Sequence, residues 1–352
     1  MRPYRVGIAG ATGLVGQRLV ARVASHPWFT LQSLGASERS TGRPYGEVVR
    51  WMLPDEIPVA AARLVVGGCA PQDFAACDLV LSALDAPVAK DVEPALAASG
   101  IAVVSNSSAF RMAPDVPLIV PEVNAGAVAR IGARARGGFV VTNPNCSVTG
   151  LALALAPLHR EFGVRRVIVA TLQAVSGAGL AGPRAVDLLD NVVPYIPGEE
   201  EKIEAELGKI LGAASEDGFV PAEIAVAAHC HRVPILDGHL EAVSVELERR
   251  ATPEQAITAL ASFRGDVFGL NLPTAPAAPI VVRSEVDRPQ TRLDRDCGRG
   301  MSAVVGRVRP CPVLTLRFVV LAHNMERGAA GGALLNAELL AARELLPRRA
   351  RG

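Results

Sequence analysis

A single cysteine, Cys146, has the sequence setting of a covalent nucleophile. The β-branched run at residues 139–142 predicts a short buried strand, and the Asn-Pro-Asn at 143–145 ends it as a turn. The Ala- and Leu-rich run at 147–158 predicts a helix. The positive end of that helix dipole favours a thiolate, and nearby amides can hold an oxyanion. We therefore expect a nucleophilic thiol of depressed pKa, the alternative being a buried structural cysteine.

A histidine and an arginine flank the second feature that could do chemistry, the Asp-Gly turn at 237–238. His239 follows the turn, a position that predicts a side chain facing a cleft and titrating near neutrality. Arg232, on the preceding strand, could fork onto a carboxylate. Nearby, His229 and His231 would share one face of that strand. Zinc usually needs three or four ligands and no matching cluster is evident, so no metal site is predicted.

The first 25 residues follow the strand, glycine turn and helix order of a dinucleotide-binding unit. Residues 4–9 predict the strand, 10–16 the glycine turn and 17–25 the helix. Glycines let the backbone approach a pyrophosphate, and the helix N-terminus receives its charge. The predicted cofactor contacts in this turn are Gly10, Thr12, Gly13, Leu14 and Val15.

The end of the second predicted strand, residues 30–34, indicates which dinucleotide is bound. An enzyme that prefers NAD usually has an acidic residue there for the ribose hydroxyls. Here Ser37, Arg39 and Ser40 can donate hydrogen bonds to a 2′-phosphate, which favours NADP. Glu38 could serve a ribose diol and keeps NAD open. Ser82, a small residue near the end of a strand predicted at 78–84, is also assigned to the cofactor site.

Strands and helices alternate in the first part of the chain, which predicts a parallel, doubly wound sheet. Beyond residue 158 few helices separate the predicted strands, which are at 166–175, 225–234, 239–248, 280–285, 301–309 and 315–322. This spacing favours a mixed or antiparallel sheet in a second domain. The sequence therefore predicts an α/β protein, in which a Rossmann-like doubly wound parallel sheet is joined to an α+β catalytic domain.

Composition excludes several classes of function. Half of the 352 residues are hydrophobic and the net charge is +1, so no polyanionic partner is implied. Only 14 residues are aromatic (two Trp, three Tyr, nine Phe) and no basic stripe interleaves with them, so no nucleic acid partner is expected. No apolar run reaches the roughly 18 residues of a membrane span. The six cysteines form no Cys-x-x-Cys pair, which favours a reduced, cytoplasmic protein.

Together these features resemble the aspartate-semialdehyde dehydrogenase family, most closely its archaeal and fungal-like branch. The matching motifs run from one end of the chain to the other. They are GATGLVGQ at 10–17, SNSS at 105–108 with Arg111, NPNCS at 143–147, QAVSGAG at 173–179, PGEEEKI at 197–203, RVPILDGH at 232–239, RPQTRLDRD at 288–296 and HNMERGAAGG at 323–332.

The resemblance implies the reversible, NADP-dependent conversion of L-aspartyl 4-phosphate to L-aspartate 4-semialdehyde and phosphate, a step of lysine, methionine and threonine biosynthesis. It implies that Cys146 carries the acyl group as a thioester and that His239 is the acid/base. Gln173 would position the substrate. Arg232 would bind its α-carboxylate, and Glu199 its ammonium.

The resemblance also implies a phosphate site and further cofactor contacts. Asn106, Arg111 and Lys202 would hold the phosphate, with Arg111 and Lys202 reaching it from different domains. An oxyanion formed during reduction would be stabilised by Asn145, helix-start amides and His239. The additional cofactor contacts would be Ser176, Gly177 and Asn324.

The implied domains are residues 1–147 for NADP, completed by a C-terminal helix at 324–352, and residues 148–323 for catalysis and dimerisation. A homodimer or homotetramer is expected. The alternative function is a malonyl-CoA or succinyl-CoA reductase, which resembles the same branch and uses the same Cys and His without needing the phosphate residues. A non-catalytic NADP-binding paralogue and an N-acetylglutamyl-phosphate reductase fit the motifs less well.

Overall fold

A computed structural model of the chain describes residues 3–132, 137–215 and 218–348. The strands are β1 Tyr4–Ala9, β2 Phe29–Gly35, β3 Val66–Gly67, β4 Leu79–Ser82, β5 Ala102–Ser105, β6 Phe139–Thr142, β7 Val164–Gln173, β8 Ala213–Ser215, β9 Gly218–Val220, β10 Ala225–Arg232, β11 His239–Leu247, β12 Ile280–Arg283, β13 Ala303–Pro310 and β14 Leu316–Ala322. The helices are α1 Leu14–Ala24, α2 Tyr45–Val48, α3 Val59–Ala62, α4 Ala86–Ala98, α5 Pro121–Asn124, α6 Ala129–Gly132, α7 Cys146–Phe162, α8 Ala185–Leu188, α9 Glu199–Leu211, α10 Pro253–Ser262, α11 Thr291–Asp294 and α12 Gly331–Ala342. Short 3₁₀ turns cover Pro71–Phe74, Ala125–Val128 and Val175–Ala178, and a π-helical turn covers Glu326–Ala330.

The first sheet has the strand order β3-β2-β1-β4-β5-β6, with every pair parallel. All four residues of β4 and of β5 are buried, as expected for strands covered on both faces. This order is that of a doubly wound nucleotide-binding sheet, in which ligands bind beyond the carboxyl ends of the strands. The predicted Rossmann-like half of the fold is therefore confirmed.

The second sheet has the order β10-β7-β11-β14-β13-β12. Its β10–β7 and β12–β13 pairs are parallel and the others antiparallel, so the predicted mixed sheet is also confirmed. Along β11 the odd-numbered residues are buried and the even-numbered ones are at least partly accessible, which is the period of two of a strand with one covered face. Helices α7, α9 and α10 cover that face.

Helix α7 joins the two halves of the molecule. It begins at Cys146, just beyond the carboxyl end of β6, and its buried side chains such as Leu151 and Leu155 pack in the core of the second sheet. The second core also includes Leu118 and Val120 from the segment predicted to belong to the first domain. Cys146 therefore lies at the junction of the two sheets.

The C-terminal helix packs against the first sheet, where Leu334, Leu335 and Leu339 are fully buried. It begins later than the C-terminal helix predicted at 324–352, because the π-helical turn precedes it. Parts of the predicted domains, namely residues 1–2, 133–136, 216–217 and 349–352, lie outside the described residues. Of the helices described, none combines the length and the apolar character needed to cross a membrane.

Candidate active site

The turn before Cys146 is fixed by its own asparagine. Asn145 is the N-cap of α7, and its Oδ1 accepts hydrogen bonds from the backbone N–H of Ser147 at 2.9 Å and of Val148 at 3.3 Å. Asparagine is among the preferred residues at this position because its short side chain reaches the free amides of the first turn. The predicted setting of Cys146, between a strand end and a helix start, is what the structure shows.

The thiol of Cys146 contacts the imidazole of His239. The distance from Sγ to Nε2 is 3.1 Å, and His239 is fully buried at the start of β11. On the other side of the ring, the backbone N–H of Ala174 donates to Nδ1 at 3.1 Å. Because a backbone N–H can only donate, Nδ1 must be unprotonated in this arrangement. The ring proton is therefore on Nε2, where it points at the sulfur.

Burial changes the pKa values of both groups in the direction opposite to the prediction. Desolvation, assisted by the charge of Glu199, raises the pKa of the Cys146 thiol to about 12, although Arg111 and Arg232 oppose it. Desolvation, assisted by the charge of Arg232, lowers the pKa of His239 to about 3. The predictions of a depressed thiol pKa and of a histidine titrating near neutrality are therefore wrong. Both groups are neutral at physiological pH.

Two residues predicted to bind substrate lie beside this pair. Gln173 and Arg232 are register partners at the ends of the parallel strands β7 and β10, next to the first residue of β11. Both are buried, and Arg232 Nη1 donates to the carbonyl of Ala174 at 2.7 Å. A side chain at Gly177 would come within 3.0 Å of Arg232 Nη1 and 3.4 Å of His239 Nε2. Glycine there leaves space directly above the catalytic pair.

The first residues of α9 reach into the same centre. Glu199 accepts a hydrogen bond from Asn145 Nδ2 at 2.7 Å and pairs with Lys202 at 3.3 Å. Two turns later, Glu206 accepts from the backbone N–H of Asn145 at 2.6 Å and from Arg111 Nη1 at 2.9 Å. Glu206 did not emerge from the sequence as a candidate. Its seven-residue spacing from Glu199, which puts the two on one helix face, is the signal that could have found it.

The capping role of Asn145 leaves fewer oxyanion donors than predicted. The amides of Ser147 and Val148 both bond to its Oδ1, and its own Nδ2 bonds to Glu199. These helix-start groups are therefore engaged within the protein. From outside α7, the Nε2–H of His239 is directed at the reacting sulfur.

The three residues assigned to phosphate are held by different partners. Arg111 is buried, pairs with Glu206 and donates from Nη2 to the carbonyl of Asn106 at 2.7 Å. Lys202 is about one third exposed and pairs with Glu199. Seven residues of helix separate these two glutamates, roughly 10 Å at 1.5 Å per residue. A phosphate that met both cations would therefore have to lie between the two ends of this helix segment.

Two protein-family models match the chain. The semialdehyde dehydrogenase NAD binding domain matches residues 5–131, and the semialdehyde dehydrogenase dimerisation domain matches residues 155–327. The aspartate-semialdehyde dehydrogenase of Archaeoglobus fulgidus is 48% identical over 341 residues, which cover 96% of this chain and 98% of that protein. The chain belongs to the aspartate-semialdehyde dehydrogenase family.

Fungal members of the family are also similar in sequence and structure. The Saccharomyces cerevisiae enzyme is 42% identical over 358 residues, covering 97% of this chain and 98% of its own. The crystal structure of the Candida albicans aspartate-semialdehyde dehydrogenase with NADP superposes with a TM-score of 0.92 at 39% identity, covering 98% of this chain and 100% of that one. The predicted resemblance is therefore confirmed.

The glycine turn has the geometry that a dehydrogenase of this family needs for its cofactor. Gly10 has a φ of +80°, and a side chain there would be 2.7 Å from the carbonyl of Ala83. Gly13 is the N-cap of α1, and none of the side chains that the structure describes caps this helix. Its first amides are thus available to a pyrophosphate. At the end of β2, Ser37 and Arg39 are exposed and Ser40 is partly exposed, as a 2′-phosphate site requires.

Ser82 and Asn324 have structural partners that the sequence did not reveal. Ser82 is fully buried, and its carbonyl accepts hydrogen bonds from the backbone and side-chain nitrogens of Asn106, both at 3.0 Å. The assignment of Ser82 to the cofactor site stays a prediction. Asn324 accepts from Gly238 N and donates to Ser176 Oγ, both at 2.8 Å, so it links the turn before His239 to the Ser176 turn.

The π-helical turn is a part of the site that sequence reasoning missed. A side chain at Gly328 would lie 2.6 Å from Cβ of Cys146, so only glycine allows this close packing. π-helical turns are frequent at functional sites.

His229 and His231 were considered as metal ligands from the sequence, and no metal site was predicted there. The described residues hold no group of three or more His, Cys, Asp or Glu that could bind a metal.

Proposed function

We propose that this chain catalyses the reversible, NADP-dependent reductive dephosphorylation of L-aspartyl 4-phosphate to L-aspartate 4-semialdehyde, in lysine, methionine and threonine biosynthesis. The observation that carries the proposal is the 3.1 Å contact between Cys146 Sγ and His239 Nε2 at the junction of the two sheets. Family membership supports the same reaction, and the Candida relative was solved with NADP.

In the first step the sulfur of Cys146 attacks the carbonyl carbon of the acyl phosphate. A carbon–sulfur bond forms, the carbon–oxygen bond to phosphate breaks, and the thiol proton leaves with the phosphate. Arg111 and Arg232 both favour the thiolate electrostatically, and both would attract the anionic substrate.

The hydride that reduces the resulting thioester would come from NADPH when it is bound. Reduction leaves an oxyanion on the carbon attached to Cys146 Sγ, and the Nε2–H donor of His239 lies 3.1 Å from that sulfur. Collapse of the oxyanion breaks the carbon–sulfur bond and releases the aldehyde, and the thiolate that is left takes a proton from solvent to restore the thiol. His239 stays neutral in these steps, because its Nδ1 accepts a hydrogen bond from the Ala174 N–H. Its Nε2–H donates a hydrogen bond first to the oxyanion and then to the thiolate.

Substrate recognition is proposed for the polar residues around the pair. Gln173 positions the acyl group, Arg232 binds the α-carboxylate and Glu199 binds the ammonium. Their burial supports this assignment, since charged groups held away from water bind opposite charges strongly. Asn106, Arg111 and Lys202 are proposed to receive the phosphate, as the anion would be attracted to Arg111, which pairs with Glu206 of α9, and to Lys202 on α9 itself.

Cofactor binding is proposed for the turn of Gly10, Thr12, Gly13, Leu14 and Val15. Its positive φ at Gly10 and its uncapped helix fit a pyrophosphate. Ser37, Arg39 and Ser40 would receive the 2′-phosphate, and Ser176, Gly177 and Asn324 would complete the site from the second half of the chain. The proposed domains are residues 1–147 with 324–352 for NADP, and 148–323 for catalysis and dimerisation.

A homodimer or homotetramer is proposed through the uncovered face of the second sheet. Ile168 is 45% exposed and Leu172 37% exposed on β7, and Ala227 and Ala242 are exposed on the neighbouring strands. An apolar sheet face of this kind is typical of a protein interface. It lies within the matched dimerisation domain. A cytoplasmic location is also proposed, since all six cysteines lie among the described residues and are free thiols.

The test supplies aspartate semialdehyde and NADP+ with and without phosphate and follows NADPH absorbance. Turnover that requires phosphate is expected. A parallel reaction replaces phosphate with coenzyme A, which a malonyl-CoA or succinyl-CoA reductase would use as the acyl acceptor. Turnover with coenzyme A but not with phosphate would replace the proposed function by that alternative.

A further inference from the structure

Lys209, in the third turn of α9, is a buried lysine with a complete set of partners. It is 4% exposed, and its Nζ donates to the backbone carbonyls of Arg111 at 2.7 Å, Ala113 at 2.7 Å and Val116 at 2.8 Å. An ammonium group has three protons, so these carbonyls use all of them. The ring of Phe219, 5.0 Å from Nζ, provides a cation–π contact.

All three carbonyls belong to one loop, which connects β5 to α5 and carries the phosphate residues Asn106 and Arg111. The Ala113 carbonyl also accepts from the backbone N–H of Val116 at 3.3 Å. Without the ammonium, the carbonyls of Arg111 and Val116 would each lose a charged donor inside the protein, at a considerable free-energy cost. Lys209 therefore determines the path of the loop at Arg111 itself, because one of its acceptors is the Arg111 carbonyl.

The same helix also holds the other end of Arg111. Glu206, one turn before Lys209, pairs with Arg111 Nη1 at 2.9 Å and with the backbone N–H of Asn145 at 2.6 Å. The backbone and the guanidinium of Arg111 are thus both attached to α9. The direction in which the guanidinium meets an anion depends on both attachments, since a long side chain without them would sample many rotamers.

We propose that Lys209 is a positioning residue for the phosphate subsite, acting as a fixed internal cation that holds the Arg111 loop against α9. This inference rests on the proposed function, in which Arg111 receives the phosphate. Lys209 itself is too enclosed to contact substrate, so its effect reaches phosphate through Arg111. A lysine that only stabilised the fold would affect both substrates of the aldehyde-oxidising reaction alike.

The ionisation of Lys209 should make phosphate binding depend on pH. Desolvation lowers the pKa of Lys209 to about 8, while Asp115 and Glu206 oppose the shift. Two other cations face this site, Arg111 and Arg130. The guanidinium of Arg130 lies over the same Phe219 ring as Lys209 Nζ. Above pH 8 the ammonium loses a proton and with it one of its three hydrogen bonds. The loop is then held less firmly, and phosphate binding weakens as the pH rises.

The first experiment measures steady-state oxidation of aspartate semialdehyde by Lys209→Met, an unbranched substitution of similar length. The KM for phosphate should rise about tenfold or more, as expected for a displaced charged hydrogen bond, while the KM for semialdehyde stays within about twofold. Lys90→Met is the matched control, because Lys90 is exposed on α4 far along the chain from α9. NADP binding and the melting temperature report whether each variant is folded.

The second experiment keeps Lys209 and replaces Asp115, an exposed residue whose charge raises the pKa of the ammonium. Asp115→Asn should displace the weakening of phosphate binding to lower pH. Comparison with the unaltered protein at each pH cancels the ionisation of phosphate itself. This measurement decides the matter if Lys209→Met does not fold.

The outcomes separate the inference from the function on which it rests. If the unaltered protein oxidises the aldehyde without any need for phosphate, the proposed function fails. If it needs phosphate but Lys209→Met is folded and changes both KM values equally or neither, the positioning role is overturned. Coincident pH profiles for Asp115→Asn and the unaltered protein would overturn it as well.

Discussion

Two helices of this protein begin just beyond the carboxyl ends of strands in the first sheet, yet their first turns are prepared for different chemistry. Helix α1 has Gly13 as its N-cap, and among the described side chains none caps it. Helix α7 has Asn145 as its N-cap, and that side chain accepts from the amides of Ser147 and Val148. The first helix start can therefore receive an external anion. At the second, the protein has already supplied the acceptor.

This comparison of α1 with α7 indicates that a position at a helix start does not by itself lower the pKa of a thiol. The dipole of α7 favours a thiolate, but its effect is typically below about 1 kcal/mol where the end is not specially arranged. Desolvation and the charge of Glu199 outweigh it and raise the pKa of Cys146 to about 12. Arg111, Arg232 and the backbone N–H of Ser147 all lower the thiol pKa, but together they do not offset the desolvation.

The largest difference between the two helix starts is expected when the nucleophile at the start of α7 is replaced, because turnover should fall while NADP binding at the start of α1 does not. Cys146→Ser should lower turnover by about a thousandfold or more, because a hydroxyl is a far weaker nucleophile at neutral pH. NADP affinity should stay within about twofold, since the glycine turn is untouched. The measurement pairs steady-state kinetics with a titration of NADP binding. A serine variant that kept most of the original rate would show that covalent catalysis does not occur at this position.

Adding a capping side chain to the N-terminus of α1 tests the same comparison at the other helix. Gly13→Asn should give α1 the same cap that α7 has, and the φ of −75° at this position suits a non-glycine residue. We expect NADP affinity to fall by about thirtyfold, corresponding to roughly 2 kcal/mol for two amides withdrawn from the pyrophosphate. Thermal stability should not decrease, because asparagine caps slightly better than glycine.

Gly13→Ala is the control for this change, since its Cβ would meet only the carbonyl of Gly10 at 3.5 Å, an ordinary contact. It adds a methyl group but no acceptor, so NADP affinity should change by less than about threefold. Isothermal titration of all three proteins provides the comparison. Equal losses in both variants would mean that bulk, rather than capping, explains the effect.

The exposed end of β2 gives a smaller effect on the same cofactor. Arg39→Ala should reduce the preference for NADP over NAD by about tenfold, measured as the ratio of kcat/KM values, because a charged donor to the 2′-phosphate is lost. Glu38→Gln serves as the partner variant. If Glu38 instead binds the ribose diol, that variant should lose activity with NAD and Arg39→Ala should leave the ratio unchanged.

The fold could be predicted from sequence because its signals are local. Buried strands of the first sheet are continuous apolar runs, and glycines mark the cofactor turn at Gly10 and Gly13. The helix predicted at 147–158 is found within α7, which spans Cys146–Phe162. These features depend on residues close together in the chain, so periodicity and turn chemistry were enough.

The environment of the site could not be predicted in the same way, since it depends on contacts between distant segments. The spacing of Glu206 and Lys209 shows that they share a helix face, but not that this face meets Arg111 rather than solvent. Nothing in the side chain of Ala174 indicates that its N–H selects the tautomer of His239. Likewise, the thiol pKa is set mainly by desolvation, which appears only when the chain is packed.

The smallest expected effect concerns the charge that most directly opposes the thiolate. Glu199 raises the pKa of Cys146, so Glu199→Gln should lower that pKa while keeping an oxygen that can accept from Asn145 Nδ2. Alkylation requires the thiolate, and below the pKa its rate is proportional to the thiolate fraction. At a fixed pH between 7 and 9, iodoacetamide should therefore modify Cys146 about three- to fivefold faster in the variant.

The other five cysteines and the general effect of lost charge need separate controls. Alkylation of Cys146→Ser, followed by peptide mass spectrometry, defines the background from the remaining thiols. Glu201→Gln removes an exposed charge two residues further along α9 and should leave the rate unchanged. If Glu199→Gln alkylates no faster than this control, the charge of Glu199 does not govern the thiol. Desolvation and the capped first turn of α7 would then be sufficient to keep Cys146 protonated, and the contrast with the open start of α1 would rest on Asn145 alone.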